Sequence, residues 1–186
     1  MIAGRASAVL LLGLTLAGCA SGGGTPSVPP PSTRTVLLGA GATGGLSITG
    51  VDATNSQTIA FPVDQVFRIM PSVLDSLGVP VAMLEPTKRS IGNPALKIRQ
   101  RLKGTPLSRY IDCGSSTQIG ANADNYDVSL AVIADVAPGA ANSSNVTLTF
   151  EAVAKPVNFS QQYSQCTSRG LFESRFFQIL KAKLQR

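Results

Sequence analysis

With 186 residues, a net charge of +6 and only 14% charged positions, the chain can bury one sizeable core without a metal or a dense disulfide frame. It contains no histidine, which removes Ser-His-Asp and Cys-His catalysis, histidine-ligated zinc and most general-base schemes near neutral pH. No Ser-x-x-Lys spacing and no clear carboxylate pair takes their place, so an enzyme is not expected and no catalytic, metal or cofactor residue is assigned.

Arg5 is followed by an apolar run from Ala8 to Ala17. That run is too short to span a bilayer as a helix, which takes about 20 residues. A short basic start, a short apolar stretch and small residues before a cut read as an export signal over residues 1–18. The cut would fall within Leu16-Ala17-Gly18-Cys19, directly before the cysteine. This resembles the lipobox of bacterial lipoproteins. The resemblance implies a diacylglyceryl group on the Cys19 thiol, cleavage before it and acylation of the new amino terminus. One acyl chain binds a bilayer marginally and two or more hold stably, because each buried methylene contributes roughly 0.8 kcal/mol. Ala20 and Ser21 follow, with no aspartate, and in Gram-negative lipoproteins that implies the outer membrane, with the domain facing the periplasm. Losing Arg5 with the signal lowers the net charge by one, to about +5, which favours anionic surfaces such as phospholipid headgroups or lipopolysaccharide. Nucleic acid is not an expected partner of an exported chain.

Residues 19–33, running through Gly22-Gly-Gly24 and Pro29-Pro-Pro31, form a tether, flexible at its glycine end and stiffer at its prolines. Residues 34–56 form a glycine-rich lead-in strand or loop. Within it Gly39, Gly41 and Gly44 match the G-x-G-x-x-G dinucleotide fingerprint. That motif works only where a helix starts at the third glycine and points its amino end at a pyrophosphate. Here Gly45-Leu-Ser-Ile-Thr-Gly50-Val-Asp52 follows, with β-branched residues, two glycines and no helical stripe, so no nucleotide is expected.

A single domain is expected over residues 57–186. Thr58 to Phe61 reads as a short strand. Val63, Val66, Phe67, Met70, Leu74 and Leu77 then fall at helical spacing, with Pro62 and Asp64 suited to the first turn and Gly78 to the stop. Pro71 inside the pattern predicts a kink. Val79 to Leu84 reads as a strand and Lys88 to Pro94 as a turn. Leu96, Ile98, Gln100 and Leu102 alternate with Lys97, Arg99, Arg101 and Lys103. A period of two puts those basic side chains on the outer face of one strand. With Lys88 and Arg89 nearby, they form the candidate contact surface of the chain. A charged face that blocks edge-to-edge aggregation is the plainer reading of the same residues.

Pro106 to Ile111 reads as one helical turn and Gly114 to Asn125 as a polar loop. Asp124 and Asp127 within and after it lack the oxygen-ligand spacing of a calcium loop. Tyr126 to Val132 and Val146 to Ala152 alternate as two long strands joined through Pro138 to Ser144, and a last helix begins near Ser168 with Phe172, Phe176, Ile179, Leu180 and Leu184 on its apolar side. Cys113 and Cys166, an even pair in an exported domain, read as a disulfide.

Strands, helix, strands, helix in that order predict an α+β fold, an antiparallel sheet gripping one kinked helix, with a C-terminal helix. The stretches Phe61-Pro-Val-Asp-Gln-Val-Phe67 and Leu74-Asp-Ser-Leu-Gly78-Val resemble the helix-grip domains of the BamC outer-membrane assembly lipoproteins. Those proteins have two such domains and a long partner-binding amino-terminal segment, whereas this chain has one domain and a short tether. The resemblance implies an envelope binding or assembly module with a protein partner. The alternative is a carrier holding a lipid or small apolar ligand between helix and sheet, lined by Phe67, Met70 and Phe176.

Overall fold

The computed structural model describes residues 33–36, 46–49, 55–158, 160 and 162–186. The expected export signal, Cys19, nearly all of the expected tether and the glycines at 39, 41 and 44 lie outside the described residues. Strands β1 (Thr33–Val36) and β2 (Leu46–Thr49) pair antiparallel, so a strand stands where a dinucleotide site needs a helix. β3 (Ser56–Ile59) leads into α1 (Val63–Leu77), followed by β4 (Met83–Glu85) and β5 (Ser90–Arg99). β6 (Arg101–Leu102) and β7 (Thr105–Pro106) make a small hairpin, and a 3-10 turn covers Leu107–Arg109. β8 (Ile111–Asp112), β9 (Ser115–Ser116), β10 (Gly120–Ala121) and a second 3-10 turn (Asn122–Asp124) come next. β11 (Asp127–Pro138), β12 (Ser144–Lys155), β13 (Ser164–Ser168) and α2 (Leu171–Leu184) complete the chain.

The fold is α+β, with an antiparallel sheet, one helix in the middle of the chain and one at its end. Among the described residues the main sheet runs β4-β5-β11-β12-β13-β8, with β3 also on β12. Its spine is the β11–β12 hairpin, in register from Asp127↔Lys155 to Pro138↔Ser144. Alternation makes this pairing inevitable: Val128, Leu130, Val132, Ala134 and Val136 on β11 and Val146, Leu148, Phe150, Ala152 and Ala154 on β12 share one buried face. β3 holds the start of the far side of β12 and β13 holds its end.

Both helices supply apolar stripes to the same core. α1 buries Val66, Met70, Val73, Leu74 and Leu77, and α2 buries Phe172, Phe176, Phe177, Leu180 and Leu184. Each such side chain contributes about 1.5–3 kcal/mol when fully buried, far more than helix propensity supplies. α1 continues through Pro71, which removes the donor that would have met the Phe67 carbonyl. It stops at Gly78, whose φ of 78° lets its N–H reach Asp75 O while the Val79 N–H reaches Leu74 O.

Two local expectations are corrected here. Val79 to Ala82 is not strand: Val79 is spent closing the helix, Pro80 has no N–H, and the first bond to β5 comes from the Ala82 N–H, just before β4 begins at Met83. The turn after β4 is also shorter than expected, because β5 begins at Ser90 and carries Ile91, Gly92 and Asn93 along β11. Gly92 permits this, since a Cβ there would stand 2.0 Å from Val132 O. Gly92→Ala is therefore expected to destabilise by about 3 kcal/mol, the upper part of the usual overpacking range. A urea midpoint within error of the parent would show that the two strands can part at no cost.

The missed elements, β13 and β8, pair Thr167↔Asp112 and Ser168↔Ile111, and Cys113 and Cys166, next in that register, are joined by a disulfide. Around it, Arg169 binds Asp112 at 2.7 Å, and Arg175 donates to Tyr110 Oη at 2.6 Å and to Thr105 Oγ1 at 3.3 Å. Glu173, buried in the first turn of α2, accepts from Ser168 Oγ and from Asn55 Nδ2. Asp124 takes both the N–H and the hydroxyl of Ser108, at 2.9 and 2.6 Å, which ties the two 3-10 turns together and gives this carboxylate a structural task.

Candidate binding surface at the edge of the sheet

β5 is paired with β11 from Arg99↔Asp127 to Ser90↔Asp135, but β4 covers its other side only from Ser90 to Gly92. The local sequence explains why the cover stops. Pro80 cannot donate to a ladder, and Pro94 interrupts the register opposite Leu130 and Val132, where the structure has a bulge. Asn93, buried, seals this point: its Nδ2 donates to Pro80 O at 3.0 Å and its Oδ1 accepts from the Ala95 N–H at 3.1 Å.

Beyond the bulge, Leu96–Arg99 has no strand on that side among the described residues. Ladder parity fixes which groups face outward. Val136 N–H bonds Arg89 O, so the even-numbered residues of β11 turn their backbones toward β5. Their partners Leu96 and Ile98 turn inward, and the N–H and C=O of Lys97 and Arg99 face the open edge. On the same parity Gly92 O accepts from the N–H of Ala82, which immediately precedes β4. The Lys97 and Arg99 side chains share the sheet face away from the helices, while Leu96 and Ile98 pack against the core.

The strand then breaks, and the sequence reading of one unbroken basic row is corrected. Gln100 has φ of 62°, the Lys103-Gly104 turn has φ of 50° and 80°, and the chain folds into the β6–β7 hairpin with Leu102 buried. Positive φ at both central residues suits the right-handed twist of a tight hairpin. Arg101 and Lys103 thus leave the face that Lys97 and Arg99 share. Arg101 donates to Gly104 O at 3.0 Å, and the Lys103 ammonium lies 3.5 Å from Asp75 O, where it complements the negative end of α1.

The remaining basic groups are held differently. Arg99 pairs with Asp127 at 3.1 Å, Arg89 with Asp64 at 3.4 Å and Lys88 with Glu85 at 2.6 Å. The hydrogen bond to Glu85, and after it the charge of that carboxylate, raise the Lys88 ammonium above its ordinary range. These pairs are exposed, so they add little stability and their charges stay open to exchange with a partner. Lys97, exposed on the strand, has no ion-pair partner among the described residues. Val81 and Leu84, 41% and 55% exposed, add apolar area along the β4 part of the edge. Among the described residues, the arrangement offers main-chain donors and acceptors that no strand meets, beside exposed cations. That chemistry suits a strand or an anion.

The residue alternation revealed the cations but not the open side of β5. The signal was the pair of prolines, Pro80 and Pro86, which leave only five residues between them, of which three form β4. No protein-family profile matches the chain, and a comparison with curated proteins finds none similar to it.

Proposed function

We propose that this protein is a lipid-anchored lipoprotein of the outer membrane, with its domain in the periplasm. It would act as a non-enzymatic binding module in the assembly of the envelope. The observation that carries the binding role is the side of β5 that no strand covers among the described residues, where the backbones of Lys97 and Arg99 face outward beside their own cations. The anchor rests on the apolar run and small residues that lead to Cys19, and the Cys113–Cys166 disulfide supports export, since such bonds persist in oxidising compartments.

The carrier reading has less support. A cavity able to hold a lipid would leave its lining reachable by water; of the three side chains that reading needs, Phe67 is partly buried, but Met70 and Phe176 have 0% exposure. Both side chains are instead closed in by the helix–sheet core.

Chemical crosslinking of intact membranes followed by isolation of the protein tests the proposal. One stoichiometric protein partner is expected, and co-purified lipid in its place would return the carrier. Separately, Cys19→Ala is expected to move the protein from the membrane to the soluble fraction. If that variant still sediments with membranes through high-salt washing, the anchor is elsewhere.

A further inference from the structure

Resting on that reading of the edge as a binding surface, we propose that the partner contributes an extended acidic segment, which adds to β5 as a further strand along Leu96–Arg99. The slot has defined ends. The Pro94–Ala95 bulge closes one and the left-handed turn at Gln100 closes the other. Between them the N–H and C=O of Lys97 and Arg99 are the main-chain groups a new strand would meet.

The same parity dictates the sequence such a segment carries. Its residues opposite Lys97 and Arg99 sit on the outer face, where opposite charge stabilises a cross-strand pair and like charge opposes it. The alternate residues fall beside Leu96 and Ile98, whose half-buried rims, with Leu84 further along the edge, favour apolar side chains. The recognised pattern is therefore acidic and apolar residues in strict alternation. A second copy of this chain is a poor occupant, because pairing edge to edge brings Lys97 and Arg99 against their own counterparts. A lipid headgroup would satisfy the cations but leave the main-chain groups unused.

The test uses the full lipidated protein in a nonionic detergent and a fluorescent capped peptide of alternating glutamate and valine, read by anisotropy. Binding is expected, and two changes should each weaken it about tenfold, the effect of losing one charge-assisted contact or a pair of main-chain hydrogen bonds. One change is Lys97→Glu, an exposed position. The other leaves the protein untouched and methylates the peptide nitrogens that would donate to β5. Equal binding of the methylated and unmethylated peptides overturns strand addition. A stoichiometric envelope partner captured equally by the parent and by Lys97→Glu also overturns it, yet leaves the binding-module reading standing. Absence of peptide binding, with Lys97 protected from acetylation in phosphatidylcholine vesicles only when phosphatidylglycerol is added, overturns it in favour of a lipid contact.

Discussion

Replacing Cys113 and Cys166 together by alanine is expected to lower the folding stability by about 4 kcal/mol, the chain-entropy value for a closed loop of this size. The two residues are 53 apart in sequence, and everything from the polar loop through β11, β12 and the first two residues of β13 lies between them. Opening that loop restores conformational freedom to the unfolded chain, while the folded sheet loses no ladder hydrogen bond. The contacts that stay behind are weak substitutes. Arg169 and Asp112 are both about half exposed, which limits their ion pair to about 0–1 kcal/mol. A loss of this size corresponds to a midpoint about 10 °C lower in a domain of this length. Urea unfolding of the oxidised parent and the double variant would measure it, and the slope should rise in the variant because its unfolded state is less compact. A difference below about 1 kcal/mol would mean that the unfolded chain already holds Cys113 and Cys166 near each other.

How far the sequence foretells this fold depends on whether an element is defined by its own period or by its neighbours. α1, β11, β12 and α2 repeat an apolar pattern over ten residues or more, and each forms within a few residues of its expected place. Short strands carry too few turns of any pattern. Ser164-Gln-Cys-Thr-Ser168 has one buried side chain, Cys166, and becomes strand because the end of β12 presents Ala152, Val153 and Ala154 to it. Gly92, which propensity assigns to a turn, is drawn into β5 because only a residue without a side chain fits against Val132. The basic row failed for a related reason. Alternation from Leu96 to Lys103 is indistinguishable in sequence from an unbroken strand, and the break comes from one left-handed residue, Gln100, whose side chain gives no warning. Phe177 shows the reverse error: it lies outside the expected stripe on α2 yet is buried, because α2 touches both the sheet and α1 and needs a wider apolar face.

The second large effect is expected at Phe172, in the first turn of α2. Its ring has 0% exposure, stacks on Phe150 with centroids 4.3 Å apart and planes 7° from parallel, and meets Tyr110 edge-on at 5.9 Å. Phe172→Ala should cost about 3–5 kcal/mol, since it deletes the ring and leaves a cavity. The upper part of that range is expected because the neighbours cannot collapse inward. Phe150 is fixed in the middle of β12, and Tyr110 is held by the Arg169 N–H on its carbonyl and by Arg175 on its hydroxyl. Ile179→Ala, at a partly buried position of the same helix, is the internal comparison and should cost clearly less. Equal urea midpoints for the two variants would show that the first turn of α2 repacks freely. The consequence reaches the hairpin next to the binding surface as well. Arg175 joins Tyr110 to Thr105 of the β6–β7 hairpin, and that hairpin carries Arg101 and Lys103. Loosening Phe172 should therefore speed amide exchange at Leu102 and Thr105 while leaving Leu96 and Ile98, whose backbones turn toward β11, as protected as before.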